Sequence, residues 1–471
     1  MRLAAARSRI VARESGETTV REQIVAASDS EVDVVIVGGG FAGVTAAREL
    51  SARGRRVVLV EARDRLGGRT WTKDHDGHPM EFGGTWVHPL QPHVWSEIER
   101  YGVETETFPV MEGLRQAVVS EGRIVELSDD DVVRALETFD QFCAPAVDLF
   151  PEPFSETLGP DPDGLADRSL REQFDSFKAE PALRDWVEGM CCTIVCGPLD
   201  QCGVTEVFRI YALSGHDAAQ TMAAVSATKL LKGTRELINS IAGQATLADI
   251  RLNSPVQRVA QTDDGVRVEL ESGETVSAPT ALIALPMNVL NSVEFEPALS
   301  EIKRTASAER HAGAGVKCFV RVKGDIGNVS IAAPEPHAVN WVVTYAHDPQ
   351  GSWLIMFSNN PDKLEMTAFD DVQGMQTALQ PLLPGVEVEA IVGWDWRHDP
   401  HALGTWCIYR PGQLTRVLPD LRTTEGRLFF AGSDSVSTWR CFIDGAIASG
   451  YYSARDIDGY LTAGGTTAAQ G

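Results

Sequence analysis

Residues 33–71, DVVIVGGGFAGVTAARELSARGRRVVLVEARDRLGGRTW, restrict the fold of this chain more than any other stretch. The run Val34 to Val37 reads as a buried parallel strand because both faces of such a strand are covered. Gly38, Gly40 and Gly43 follow it with GxGxxG spacing, and a helical pattern begins at once. Gly38 permits a tight turn, Gly40 lets a pyrophosphate approach the backbone, and Gly43 lets the helix pack closely on the strand. Phe41 and Ala42, between the glycines, sit where the phosphates would meet the helix N-terminus. A second strand, Arg56 to Val60, ends in Glu61, at the spacing of about 20 residues where an acid accepts from ribose hydroxyls. That acid disfavours a 2′-phosphate, and so NADP. Strand, loop, helix, strand and acid together make a dinucleotide fold.

The continuation distinguishes FAD from NAD. Ala62 follows the acid, and Arg63 and Arg69 bracket the pair Gly67 and Gly68. Two guanidinium groups beside a glycine turn suit a pyrophosphate; without the fingerprint the same loop would read as a basic surface turn. Further on, Gly83, Gly84, Thr85 and Trp86 form a second glycine turn where backbone can pass close to a cofactor.

The 471 residues exceed one simple domain. A net charge of −24, from 42 basic and 66 acidic residues, argues against nucleic acid or an anionic membrane as partner. No apolar run is long enough for a membrane helix. Residues 1–31 carry Arg2, Arg7, Arg9, Arg13 and Arg21 without an apolar core. They read as a disordered or overextended start, not a secretory signal, and the protein as cytoplasmic. Cys191, Cys192, Cys196 and Cys202 crowd into CCTIVCGPLDQC, but paired CxxC spacing and a nearby histidine are missing, so no metal is expected. Cys192 and Cys196, four apart on an expected helix, read as small buried apolar residues.

From about residue 112 to 215, apolar residues recur at three- and four-residue spacing, which predicts a mainly helical block. Thr234 is expected to cap the helix of GTRELINSIAGQ. The stretch LNSPVQRVAQTDDGVRVELESGETV alternates as paired strands around Asp-Asp-Gly, and ALIALP reads as a short buried strand. GVKCFVRVK, VNWVVTYA, GSWLIMFS and EAIVGWDW suggest a second sheet, and GRLFFAGSD a strand and glycine turn before a final helix. The fold class is therefore α/β: a Rossmann-like FAD-binding domain (32–105, 228–297, 408–460) interleaved with an α+β substrate domain (106–227, 298–407) of mixed sheet and helical block, with 461–471 as a flexible tail.

VEARDRLGGRTWT, EFGGTWVHPLQPHVW, ALPMNVL, FEPALS, GAGVKCFV and LFFAGSDSVSTWRCFIDGAIASG occur in this order. In them the chain from about residue 33 to 458 resembles the flavin monoamine oxidase family, most of all its bacterial nicotine and 6-hydroxynicotine oxidases. The resemblance implies an FAD enzyme that oxidises a secondary or primary amine, alkaloid-like or arylalkyl, to an imine that hydrolyses. Its partners would be the amine and either O2 or a protein electron acceptor, with a homodimer compatible. The tail LTAGGTTAAQG departs from the membrane-anchored members, and Lys232 stands where relatives keep a glycine.

Lys317 matches the family lysine linked through water to flavin N5. Strand alternation alone places it with Phe319, Arg321 and Lys323 on a solvated face; the resemblance reverses that reading and makes it the catalytic candidate. By the same resemblance, Trp396 lies beside the isoalloxazine, and Trp406 and Phe442 flank the substrate as an aromatic cage. Thr405 replaces the cysteine that carries FAD in many animal relatives, which implies non-covalent FAD. Gly432 and Asp434 would meet ribityl and pyrophosphate, Val256 the adenine through its backbone, and Ile443 and Ala446 the flavin through helix amides. His88 and His93 read as structural. Two other readings stay open: an L-amino-acid oxidase, for which Arg410 or Arg440 would have to hold a carboxylate, and a flavin-free binding protein on the same fold. Intact phosphate glycines, Lys317 and the cage residues speak against the second.

Overall fold

Val34–Val37 is buried at every position, with Val34 and Ile36 entering one core and Val35 and Val37 another. That double burial makes it the centre of a five-stranded parallel sheet. The order is Ala248–Arg251, Val57–Val60, Val34–Val37, Thr280–Ile283, Leu428–Phe430. The helices Phe41–Ala52 and Ile443–Thr462 cover one face. The other is covered by a four-stranded sheet built on Val256–Gln261, Val266–Leu270 and Thr275–Ala278. These coordinates are a computed structural model that describes residues 32–107, 113–349, 351–364 and 369–465. The expected extension 1–31 and residues 466–471 of the tail lie outside the described residues.

A seven-stranded mixed sheet forms the second layer system, in the order Val388–Gly393, Val316–Lys323, Gly351–Ser358, Trp341–Asp348, Val329–Ala332, Arg115–Ser120, Arg123–Leu127. Val316, Cys318, Val320 and Val322 face the helix Val372–Leu379. Phe319 faces the larger core that holds the helices Asp129–Cys143 and Pro181–Val195.

Three sequence expectations need correction. The block 112–215 is not wholly helical: Arg115–Ser120 and Arg123–Leu127 form a hairpin that joins the seven-stranded sheet. Its parallel partner, Val329–Ala332, lies some 200 residues away, beyond the reach of local periodicity. Thr234 is the first helical residue and not the cap; Gly233, at φ +81°, holds that place, and the Thr234 hydroxyl donates to Glu81 instead. Cys196 lies one residue beyond its helix in a left-handed conformation, φ +43°, so it is not on one helical face with Cys192, although both are buried. Lys317, which strand alternation alone would put on a solvated face, is 6% exposed. Its strand is buried along most of its length and meets solvent only towards Lys323.

Candidate active site

A cavity of about 420 Å³ opens between the two sheets, within the size range of small-molecule sites. The dinucleotide fingerprint builds one end. Gly38 takes φ +109°, and a side chain there would press on the Ala284 carbonyl at 2.6 Å. Gly40, Phe41 and Ala42 line the cavity. Their helix has neither a side-chain cap nor an acid in its first turn, so its first amides are free for an anion. Gly43 is absent from the lining, because it is pressed against Gly38 and Ile36. Glu61, Ala62, Arg63, Gly68 and Arg69 line the same end, as does Val256. Glu61 Oε2 accepts from the Gly39 amide at 2.7 Å, which aims the carboxylate across the loop. Arg63 pairs with Asp399 at 2.5 Å. Arg69 donates to the Thr405 carbonyl, to Ser433 and to Asp434.

At the middle, Gly84, Thr85 and Trp86 form one wall and Trp396 another. The Trp396 indole N–H donates to the Phe82 carbonyl at 2.8 Å. Gly432 lines the cavity together with Ser433, whereas Asp434 does not. The Asp434 carboxylate accepts from Arg69 and from the Met287 amide, and so anchors Arg69. Burial tends to raise the Asp434 pKa, but Arg69 and its hydrogen bonds hold it below the usual carboxylate range. Ile443 begins a second helix without a side-chain cap, facing the cavity. Ala446 also lines it, and its amide donates to the Phe442 carbonyl at 3.3 Å. Two uncapped helix N-termini and two arginines around one cleft fit a flavin dinucleotide. Cys407 lies outside the lining and is fully buried.

The far end is apolar. Lys317, Phe357 and Trp341 stand side by side across three strands, since Lys317 pairs with Phe357 and Phe357 with Trp341. Trp341 and Phe357 stack at 5.6 Å and 25°. Trp406 and Phe442 line the same space; the Trp406 indole N–H donates to the Ile194 carbonyl, and Phe442 meets Trp439 edge-on. Lys317 Nζ donates to the Gly83 carbonyl at 2.6 Å and to Thr85 Oγ1 at 2.5 Å. Burial brings the Lys317 pKa down to about 8, with Glu81 and Cys196 offsetting part of the shift. Arg410 faces Gln201 and the Arg310 carbonyl, and Arg440 is buried against Glu206. Neither lines the cavity.

Sequence reasoning missed Trp341, Phe357, Met190, Ile194 and Cys441 as lining residues. Trp341 and Phe357 carry no local signal, because only strand register aligns them with Lys317. Cys441 had one, as the neighbour of Phe442.

The profile described as flavin containing amine oxidoreductase matches residues 41–458. A pseudooxynicotine dehydrogenase from Pseudomonas sp is 36% identical over 451 residues, covering 92% of this chain and 88% of the relative. A nicotine dehydrogenase from Pseudomonas putida is 33% identical over 434 residues, covering 92% and 89%. A solved putrescine oxidase, a triple mutant redesigned in cofactor binding, superposes with a TM-score of 0.79 at 22% identity, covering 91% of this chain and 99% of its own.

Proposed function

The chain belongs to the flavin-containing amine oxidoreductase family, and from that premise we propose that its substrate is an arylalkyl or alkaloid-like amine of the nicotine-derivative kind. The reaction is FAD-dependent amine oxidation with non-covalent FAD. When bound, FAD supplies the hydride acceptor, and water hydrolyses the imine that results.

One observation carries the substrate reading. The walls given by Met190, Ile194, Trp341, Phe357, Trp406 and Phe442 are apolar or aromatic, and Lys317 is the one lysine among the described residues that line the cavity. Aromatic faces orient an aryl amine by contact and by cation-π attraction before it is deprotonated. A diamine would call for a carboxylate there and an amino acid for an arginine; Arg63 and Arg69 sit at the dinucleotide end. Lys317, held by Gly83 and Thr85, presents its remaining position to the cavity, where it positions a water or takes the amine proton. Trp396 and Thr85 line the middle of the cleft. The relatives named above act on pseudooxynicotine and nicotine, which supports the same class.

The test is anaerobic mixing of the yellow protein with nicotine, 6-hydroxynicotine, pseudooxynicotine, phenethylamine, putrescine and L-amino acids. Bleaching by the aryl amines alone is the expected result; bleaching by putrescine or an L-amino acid alone refutes the substrate class. Readmitting air and then a haem protein separates O2 from a protein as electron acceptor. Trp406→Ala is expected to retain FAD yet slow flavin reduction at subsaturating amine by about tenfold, roughly the 1–2 kcal/mol of an aromatic contact. Stopped-flow absorbance reads this, and an unchanged reductive rate removes Trp406 from the cage.

A further inference from the structure

A line of aromatic rings runs from the cavity to the surface, and the reaction above gives it no part. Phe82 lines the cavity, and its carbonyl holds the Trp396 indole N–H. Its ring meets Trp71 edge-on at 5.6 Å and 85°, and Trp71 meets Trp394 edge-on at 4.9 Å and 86°. The Phe82 amide also donates to the Trp71 carbonyl at 2.9 Å. Phe82 is 5% exposed, Trp71 is half-buried and Trp394 is 39% exposed, so the rings step outward one contact at a time. Trp394 is the one exposed tryptophan among the described residues. Core packing accounts for Phe82, but not for an indole left in water. Nor is that indole loose: its N–H donates to Asp399 at 3.0 Å, and Asp399 is buried and paired with Arg63. Arg65 and Lys73 lie 4.8 Å and 5.2 Å from the Trp71 centroid, which leaves Trp394 as the ring a partner can reach.

We propose that this line is the electron exit of the reduced enzyme, and that Trp394 is the centre of a docking surface for a small, cationic, one-electron carrier protein. The proposal rests on the reading that seats FAD in the cavity beside Trp396. A rigid, exposed indole is the kind of residue on which protein interfaces centre, and redox encounters need little area, below about 1,200 Å². The sign of the carrier follows from the net charge of −24, which steers a cationic protein in and repels an anionic one. The hydride taken from the amine amounts to two electrons and a proton. Two oxidised carriers in turn take one electron each and leave reduced, and the proton goes to solvent. The rings are neither oxidised nor reduced: they replace open gaps with contacts, and electron tunnelling decays steeply with every gap it must cross.

The experiment uses the FAD-loaded enzyme, reduced anaerobically with dithionite so that the outcome is independent of the amine class. Mitochondrial cytochrome c, a small basic haem protein, is the carrier, and stopped-flow absorbance follows its reduction beside reoxidation of the enzyme by O2. Binding of the two oxidised proteins is read separately, from the NMR signals of the cytochrome. Trp394→Ala is expected to weaken binding about tenfold or more, the scale of an interface tryptophan, with flavin retention and reoxidation by O2 unchanged. Trp71→Leu keeps the affinity but lowers the rate at saturating cytochrome. Lys73→Glu speeds association at low salt, the effect of a rim charge, and the gain fades as salt is added. Parent enzyme that O2 reoxidises but cytochrome c does not overturns the proposal, and so does Trp394→Ala with the parent affinity and rate. If Trp71→Leu does not fold, the other two variants decide. A Trp394→Ala protein altered only in its own oligomeric state makes the patch a contact between copies, which also overturns the proposal. A flavin that cytochrome c reoxidises but that none of the amines bleaches faults the substrate reading alone.

Discussion

Lys317→Met slows flavin reduction by amine, or flavin reoxidation, by about a hundredfold, the usual scale for losing one proton-handling group, while FAD stays bound. Methionine is close in length and apolar, so the packing against Phe357 survives and only the amine is lost. The parent rate rises as pH passes through about 8, where the buried lysine sheds its proton; the variant shows no such limb. Stability carries an independent sign. The folded state holds this lysine's pKa near 8, below the ordinary 10.5. Between those values the unfolded chain binds more protons, so stability rises with pH across the window. Below about 8 the buried ammonium is a standing cost, and the methionine variant, freed of it, is expected to melt higher at pH 7. Rapid-mixing absorbance and thermal melts at pH 7 and 10 check both arms. Unchanged reduction and reoxidation sink the role assigned to the amine.

Gly43→Ala abolishes flavin retention. A Cβ on Gly43 would lie 2.0 Å from the Gly38 carbonyl oxygen, 3.2 Å from Ile36 Cγ2 and 3.3 Å from the Ala284 Cβ. Two of the three are backbone or short side chains that cannot swing aside. The helix Phe41–Ala52 must then lift from its strand, which separates the free amides from the glycine loop. Overpacking alone costs about 1–3 kcal/mol. Gly459→Ala is the control: nothing lies within 4 Å of its Cβ position in the last helix, and alanine there gains about 0.5–1 kcal/mol. The ratio of visible to ultraviolet absorbance and the melting midpoint measure both. A yellow Gly43→Ala protein with parent stability would refute the packing argument.

These two residues mark where reading the sequence succeeds and where it stops. Gly43 was legible because the strand, turn and helix it joins are contiguous, and the geometry that needs glycine is local. Lys317 was legible only through resemblance. Alternation records polarity, and the strand Val316–Lys323 passes from a covered to an open environment within eight residues. Trp341 and Phe357 could not be found at all, because their nearness to Lys317 is set by register among three strands. The hairpin Arg115–Leu127 was lost for the same reason, its partner being remote. For Asp434 and Ala446 the motif gives the turn and the helix, whereas the direction of a carboxylate and the engagement of an amide depend on neighbours that no motif encodes.

The order of the five-stranded sheet also bears on how the protein is made. Its central strand Val34–Val37 is made before the other four, whereas the edge strand Leu428–Phe430 and the helix that begins at Ile443 follow every other strand of the sheet. Gly432 and the second free helix end arrive with them. A nascent chain held at residue 420 has the fingerprint and both arginines, yet nothing to close the other side of the cleft. Capture of the flavin thus waits on the strand and helix that follow residue 420, and chains that stop before them are colourless rather than weakly active.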